Sequence, residues 1–376
     1  MSENNHKKIL LVTRPIAPPW DEASKNFAYY LAKNVTGHDF YLLTNGMIPD
    51  LPVEIHLKPI YTSNDFSYLQ KMRLVKHLHK MRKDFDIFHY IFTPTKQNAF
   101  LIKNFVAHKN GQSRVIQTIA TLREDLYSDR EIKYLIFGDL VITYSDYAKN
   151  KLNSLGFENV KRVYPGIALD EYKKTEKYEK LMREKNITKS NFVINFTGEY
   201  TRLGAIDLVI DSFLEVAKII PEVKLSLAVR IKNDKDAQKK NEVLKKLKEN
   251  NLLDKVSFFD DGNYKMPPVY NLCDISIFPV SNMRGKFDVP LAVIEAMACE
   301  KPVIISDLPI LREFATPDNS VIIPKESTAA LSKAIFALYE NPIRRQEIGK
   351  IARNFVETNF DIKKVAEIYR QIYEKL

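Results

Sequence analysis

The sequence predicts an α/β protein made of two doubly wound, Rossmann-like parallel-sheet domains. Short β-rich apolar runs alternate with helical patterns from end to end. They fall into two successive sets of about five strands, which favours two sheets over one eightfold barrel. A chain of 376 residues is also too long for one ordinary core and fits two.

In the first set the strand candidates are KILLVT (8–13), DFYLLT (39–44), FDIFHYIF (85–92), RVIQTIA (114–120) and LVITYS (140–145). Helical stretches such as SKNFAYYLAKNV (24–35) and SDYAKNKLNSLG (145–156) lie between them. The second set has strands FVINFTG (192–198), VKLSLAV (223–229), KVSFF (255–259), DISIFPV (274–280) and KPVIIS (301–306). Its helices are expected at 205–220, 237–251, 290–298 and 328–340. Pro165 and Gly166 interrupt the pattern, so the seam is placed there. The division is 1–165, 166–355 and a C-terminal helix, 356–376, that packs back on the first domain.

Composition narrows the class. Hydrophobic content of 45% with 28% charged residues is that of a globular protein, and no apolar run reaches the ~20 residues of a membrane span. The N-terminus reads as a first strand, not a signal peptide. Cys273 and Cys299 lack metal-ligand spacing and read as core thiols of a cytoplasmic protein. The net charge of +10 is concentrated in the first half, notably in KMRLVKHLHKMRK (71–83), which has six cations and no acid. Such a patch suits phosphates, an anionic membrane or nucleic acid. The absence of aromatic interleaving or a base-reading motif argues against nucleic acid.

One residue breaks the apolar pattern of the second half. Glu295 stands inside PLAVIEAMA, a helix oily on every side. A buried carboxylate without partners costs several kcal/mol or changes its protonation state. It is either paired within its own domain or kept for a ligand rich in hydroxyl donors. Pro290 suits the first helical turn. The loop 282–289 before it could offer amides and a helix dipole to a diphosphate, with Arg284 and Lys286 adding charge.

The stretch DVPLAVIEAMACEKPVIISDLPILRE resembles the signature of retaining nucleotide-sugar glycosyltransferases of family 4, "EGFGLVxLEAMAxGxPVIAS" followed by "DxGGxxE". Its spacing holds through Glu295, Met297, Pro302, Asp307 and Glu313. VITYSDYAKNKLNSLGF, VYPGIALDEY and FTGEYTRLGAIDLVIDSF are similar to other family segments, in the same order. The resemblance implies the GT-B fold, with two domains facing a cleft. It implies a hexosyltransferase-type reaction from a nucleotide-diphosphate sugar to an acceptor hydroxyl, glycan or lipid-linked, with retention; no Asp-x-Asp pair stands at a strand end, so no metal or other cofactor is expected. The departing phosphate would help deprotonate the acceptor. Glu295 would accept the ribose hydroxyls, and Val289, Pro290, Leu291, Lys286 and Arg284 would lie about the diphosphate.

The departures from that pattern are specific. The first of the family's paired glutamates falls at Phe287. The Arg and Lys of its first C-terminal loop fall at Glu199 and Gly204, with Arg202 between them. The glycine pair of its first loop is Asp21-Glu22 here, and its histidine falls near Ala120. These replacements keep a second reading open, that of a non-catalytic nucleotide-sugar binder or partner subunit of the same fold.

The remaining candidates each have a functional and a bland reading. Arg202, and Arg230 with Lys232, follow strands and could face a diphosphate or simply be solvated. Asp288 could touch the sugar or cap the helix after it. Trp20, Asp21, Glu22 and Lys25 could contact acceptor or sugar, or be an ordinary polar loop. His89 ends a strand where cleft-facing side chains are expected, as a catalytic group or a structural one. Leu69, Met72, Val75, Leu78, Met81 and Phe85 form an apolar stripe that could lie on an anionic membrane or pack inward.

Overall fold

A computed structural model describes residues 6–18, 22–48, 51–106, 113–261 and 264–376. The chain divides into two compact units. The first holds residues 1–168, 285–289 and 359–376, and the second holds 169–284 and 290–358.

In the first unit, strands β1 (Lys8–Val12), β2 (Asp39–Thr44), β3 (Ile55–Pro59), β4 (Ile87–Ile91), β5 (Arg114–Ile119), β6 (Leu140–Thr143) and β7 (Val160–Arg162) form one sheet. All pairings are parallel, in the order β3-β2-β1-β4-β5-β6-β7. The central strands are buried almost throughout, as parallel strands covered on both faces must be. The last helix, Ile362–Lys375, belongs to this unit, where Tyr369 packs on Phe27 of the helix Ala23–Asn34. The chain just before that helix passes close to Gly166: a Cβ there would meet Ile362 at 2.6 Å, so only glycine fits.

The second unit repeats the plan with β8 (Phe192–Glu199), β9 (Val223–Arg230), β10 (Val256–Phe258), β11 (Ile275–Phe278), β12 (Val303–Ser306) and β13 (Ser320–Ile323). They are parallel, in the order β10-β9-β8-β11-β12-β13. The order reverses between β8 and β11, and in open α/β sheets that reversal opens a crevice at the carboxyl ends of the strands. The loops leaving β8 and β11 meet there. The Ser281 N–H donates to the Leu203 carbonyl at 2.9 Å. Leu203 and Gly204 both take left-handed backbone conformations, with φ of 69° and 66°.

Strands β3, β7 and β13 go beyond the ten expected from the sequence, and all three are sheet edges. Among the described residues no helix is long and apolar enough to cross a membrane. The basic helix spans Tyr68–Lys80, but the expected stripe divides. Leu74 and Leu78 are buried, with Phe85 in the same apolar cluster and Val75 and Met81 packed against it. Leu69 and Met72 remain exposed, at 78% and 40%.

Candidate functional site

Glu295 sits on the helix Leu291–Ala298 of the second unit. No side chain caps the helix at Pro290, so its first amides are left for solvent or a ligand. Its other end is closed by Arg353, whose Nη1 donates to the Ala298 and Tyr172 carbonyls, both at 2.7 Å. That places a cation at the negative end of the helix dipole.

Among the described residues no lysine or arginine hydrogen-bonds the Glu295 carboxyl. Instead the Tyr270 hydroxyl donates to Oε2 at 2.9 Å, and Tyr172 donates as well. Thr197, near the end of β8, hydrogen-bonds Tyr270 in turn. The residue keeps some solvent exposure, yet its carboxyl is densely surrounded. Burial raises its pKa to about 7; the two tyrosine hydrogen bonds and the Arg230 charge pull the other way. The carboxyl therefore titrates near neutrality while retaining acceptor capacity for further donors. Sequence reasoning could not find Tyr172 or Tyr270, because no spacing rule links a linker tyrosine and a helix tyrosine to Glu295.

A second cluster closes the end of β8. Glu199 is buried, and its carboxylate meets Lys232 Nζ at 2.8 Å and Arg202 Nε at 3.6 Å. Behind it lies another buried carboxylate, Asp236, in the first turn of the helix Asp234–Glu249. Asp236 accepts from the Thr201 hydroxyl at 2.6 Å and from the Lys232 amide at 3.1 Å. Arg202 is thus held against an acid of its own strand, and Lys232, from the loop after β9, joins it. Arg230 is exposed at the end of β9, in register with Glu199. Arg284 is exposed and Leu291 half-buried; Pro290 is buried.

In the first unit the expected residues take other places. His89 is fully buried. One ring nitrogen hydrogen-bonds the Tyr373 hydroxyl at 2.8 Å, the other Thr118 Oγ1 at 2.7 Å, and the ring stacks on Tyr369. Burial lowers its pKa to about 3, so it is a neutral core side chain with no open nitrogen. It was expected to end its strand, but it stands in the middle of β4 (Ile87–Ile91), and a catalytic role does not fit this environment.

Asp288 is buried and accepts a hydrogen bond from Ser145, and its amide donates to the Ala120 carbonyl at 2.9 Å. It does not cap the following helix, because Pro290 occupies the N-cap position. Beside it Phe287 packs edge-on against Tyr144, Val289 is buried and Lys286 half-buried. The residues 285–289 are therefore fixed to the first unit by backbone, hydroxyl and ring contacts. Glu22 pairs with Arg14 at 2.6 Å, and Lys25 is buried on its helix. Trp20 and Asp21 lie outside the described residues. At the carboxyl ends of β1 and β4 a cavity of about 30 Å³ is lined by Tyr90, Phe92, Leu74 and Leu78, with Arg14 and Lys71 also on it. That is room for about one water. Among the described residues no three metal-ligating side chains of the His, Cys, Asp or Glu type gather.

Comparison with known proteins places this architecture. Residues 177–355 match the family model of glycosyl transferases group 1. The uncharacterized glycosyltransferase MJ1069 of Methanocaldococcus jannaschii is 25% identical over 259 residues, 66% of this chain and 62% of the relative. The chain thus spans less than two thirds of the length of that curated relative. Among solved structures, Anabaena HepE in complex with UDP and glucose superposes at a TM-score of 0.78 with 17% identity, covering 99% of this chain and 100% of its own. Sucrose-phosphate synthase of Thermosynechococcus elongatus does so at 0.74 with 17% identity, over 99% and 100%. Likeness at that identity speaks for the fold alone. This chain has the GT-B fold, and residues 177–355 match the model of the glycosyl transferases group 1.

Proposed function

We propose that this chain moves a hexose-type sugar from a nucleotide-diphosphate donor to an acceptor hydroxyl, with retention at the anomeric carbon. The nucleotide lies on the second unit, with its ribose diol on Glu295. Its diphosphate lies at the open N-terminus of the helix Leu291–Ala298, near the cations that follow β8 and β9. Those groups meet the charge of the leaving phosphate without a metal or cofactor. The observation that carries this reading is the setting of Glu295. Its carboxyl accepts from two tyrosine hydroxyls and, among the described residues, from no lysine or arginine. A neutral-donor environment of that kind leaves lone pairs for the two hydroxyls of a ribose. A relative of the same fold, HepE, was solved with UDP and glucose, which supports a nucleotide-sugar donor.

The acceptor is a glycan or a lipid-linked sugar. Tyr68, Leu69 and Met72 are exposed beside Lys71, Arg73 and Lys76, a combination suited to an anionic membrane surface on which such a lipid would be held. Co-sedimentation with phosphatidylserine vesicles, lost in a Leu69→Ser/Met72→Ser variant, tests that part.

A thermal-shift screen against UDP-, GDP- and ADP-sugars tests the donor site, and the best hit should no longer stabilise Glu295→Ala. A second reading, a nucleotide-sugar binder without turnover, is favoured by one observation: His89, the histidine candidate of the first unit, is sealed in the core. Donor hydrolysis measured beside donor binding separates the two, since binding with no hydrolysis and no transfer to any acceptor leaves only the binder.

A further inference from the structure

Two cations at the end of β8 share one buried acid. The Glu199 side chain is 5% exposed, while those of Lys232 and Arg202 are 42% and 44% exposed. The carboxylate thus lies beneath, and the outer faces of both cations are open to solvent. The two cations come from different loops, and those loops are tied a second time through Asp236. It takes the Thr201 hydroxyl and amide on one oxygen and the Lys232 amide on the other. Lysine and arginine side chains lose rotamer freedom when fixed, so cations held in place beforehand bind an anion better than free ones. The two buried acids, Glu199 and Asp236, balance the two cations in charge, but it is the cations that reach solvent, so the outer surface they present is positive.

We propose that Glu199 is a positioning residue that holds Arg202 and Lys232 as a two-cation clamp for the phosphates of the bound nucleotide. The inference rests on the donor reading given above and specifies which side chains meet the phosphates. It makes Glu199, an acid at a phosphate site, favourable to phosphate binding. Without Glu199 the cations gain net charge but lose their fixed geometry and spread into solvent. The opposite outcome is equally concrete: if Glu199 merely competes with phosphate for the cations, removing it should tighten binding.

Isothermal titration of the full chain with UDP, GDP and ADP, and with the matching nucleosides, decides this. For the tightest diphosphate, Glu199→Gln should weaken binding about tenfold, as should Lys232→Met, while affinity for the bare nucleoside changes less than twofold. In a double-mutant cycle, Glu199→Gln added to Arg202→Met/Lys232→Met should cost nothing further. Equal losses for nucleotide and nucleoside would mean a general structural role and overturn the clamp. So would tighter or unchanged diphosphate binding by Glu199→Gln, or a full additional loss in the triple variant. Circular dichroism and thermal melting of each variant show that it is folded before it is titrated. If the wild-type chain bound none of the three diphosphates, the donor reading would fall and the clamp with it. Binding by wild type that Glu199→Gln leaves untouched would remove only the clamp.

Discussion

The two units follow one plan, yet they handle buried polar residues in opposite ways. In the first unit, His89 and Asp288 are satisfied from within by Thr118, Tyr373, Ser145 and the Ala120 carbonyl. In the second unit, Glu295 and Glu199 are also shielded, but each is bordered by groups that reach solvent: a half-exposed helix face in one case, two half-exposed cations in the other. A buried polar group that is fully paired stabilises a core, and one that keeps open acceptor or donor capacity is available to a ligand. Residue type alone does not distinguish them.

The largest expected effect breaks the comparison if it fails. His89→Ala removes both hydrogen bonds and a stacked ring from a dense core. It should destabilise the protein by about 3 kcal/mol in urea unfolding, with nucleotide affinity unchanged where the variant is folded. A fall in affinity without loss of stability would return His89 to the site.

Glu295 should behave in the opposite sense. Its pKa is raised from 4.5 to about 7, so the folded protein holds this proton more tightly than the unfolded chain does. The corresponding stability is complete below pH 4.5 and is lost as pH rises through about 7. Relative to Glu295→Gln, which does not titrate, the wild type should lose on the order of 2–3 kcal/mol across that window and nothing further above it. Urea unfolding of both proteins at a series of pH values measures this. A flat difference would show that the carboxyl ionises normally.

Smaller effects sharpen the contrast. Ser145→Ala deletes the cap of the helix Asp146–Ser154 and the donor to Asp288, and should cost about 2 kcal/mol of stability. Tyr270→Phe removes one donor that favours the Glu295 anion. It should shift the pH midpoint of nucleotide binding upward, by less than about one unit, with a stability change near 1 kcal/mol. An unchanged midpoint would mean that the Tyr270 hydroxyl does not bear on the charge of Glu295.

Much of the fold was legible because parallel central strands are continuous apolar runs, and those runs stand out. The edges were not. β3 is IHLKP, half exposed and ending in proline, β7 has three residues with two cations, and β13 is only four residues long. Short, charged edge strands guard against edge-to-edge pairing, and the same features hide them from pattern reading. In the site, Glu295 was legible as an acid in an oily helix. Its partners were not, since Tyr172 and Tyr270 meet it only through the tertiary fold. Asp288 is similar: its position before a helix suggested a cap, but Pro290 took that role and the aspartate turned to Ser145. The basic helix divided because its inward face follows Leu74 and Leu78, four apart, leaving Leu69 and Met72 outside.

The central claim is that an ionised Glu295 grips the nucleotide's ribose hydroxyls. Calorimetric titration of wild type and Glu295→Gln with the tightest of UDP, GDP and ADP, at pH 6 and pH 8, tests it directly. Each charge-assisted hydrogen bond of this kind contributes about 1.5–3 kcal/mol, so the variant should bind about 100-fold more weakly at pH 8. The gap should narrow at pH 6, where the wild-type carboxyl takes up its proton, and the variant reports the nucleotide's own titration as a baseline. Affinities within about threefold at both pH values would contradict the account.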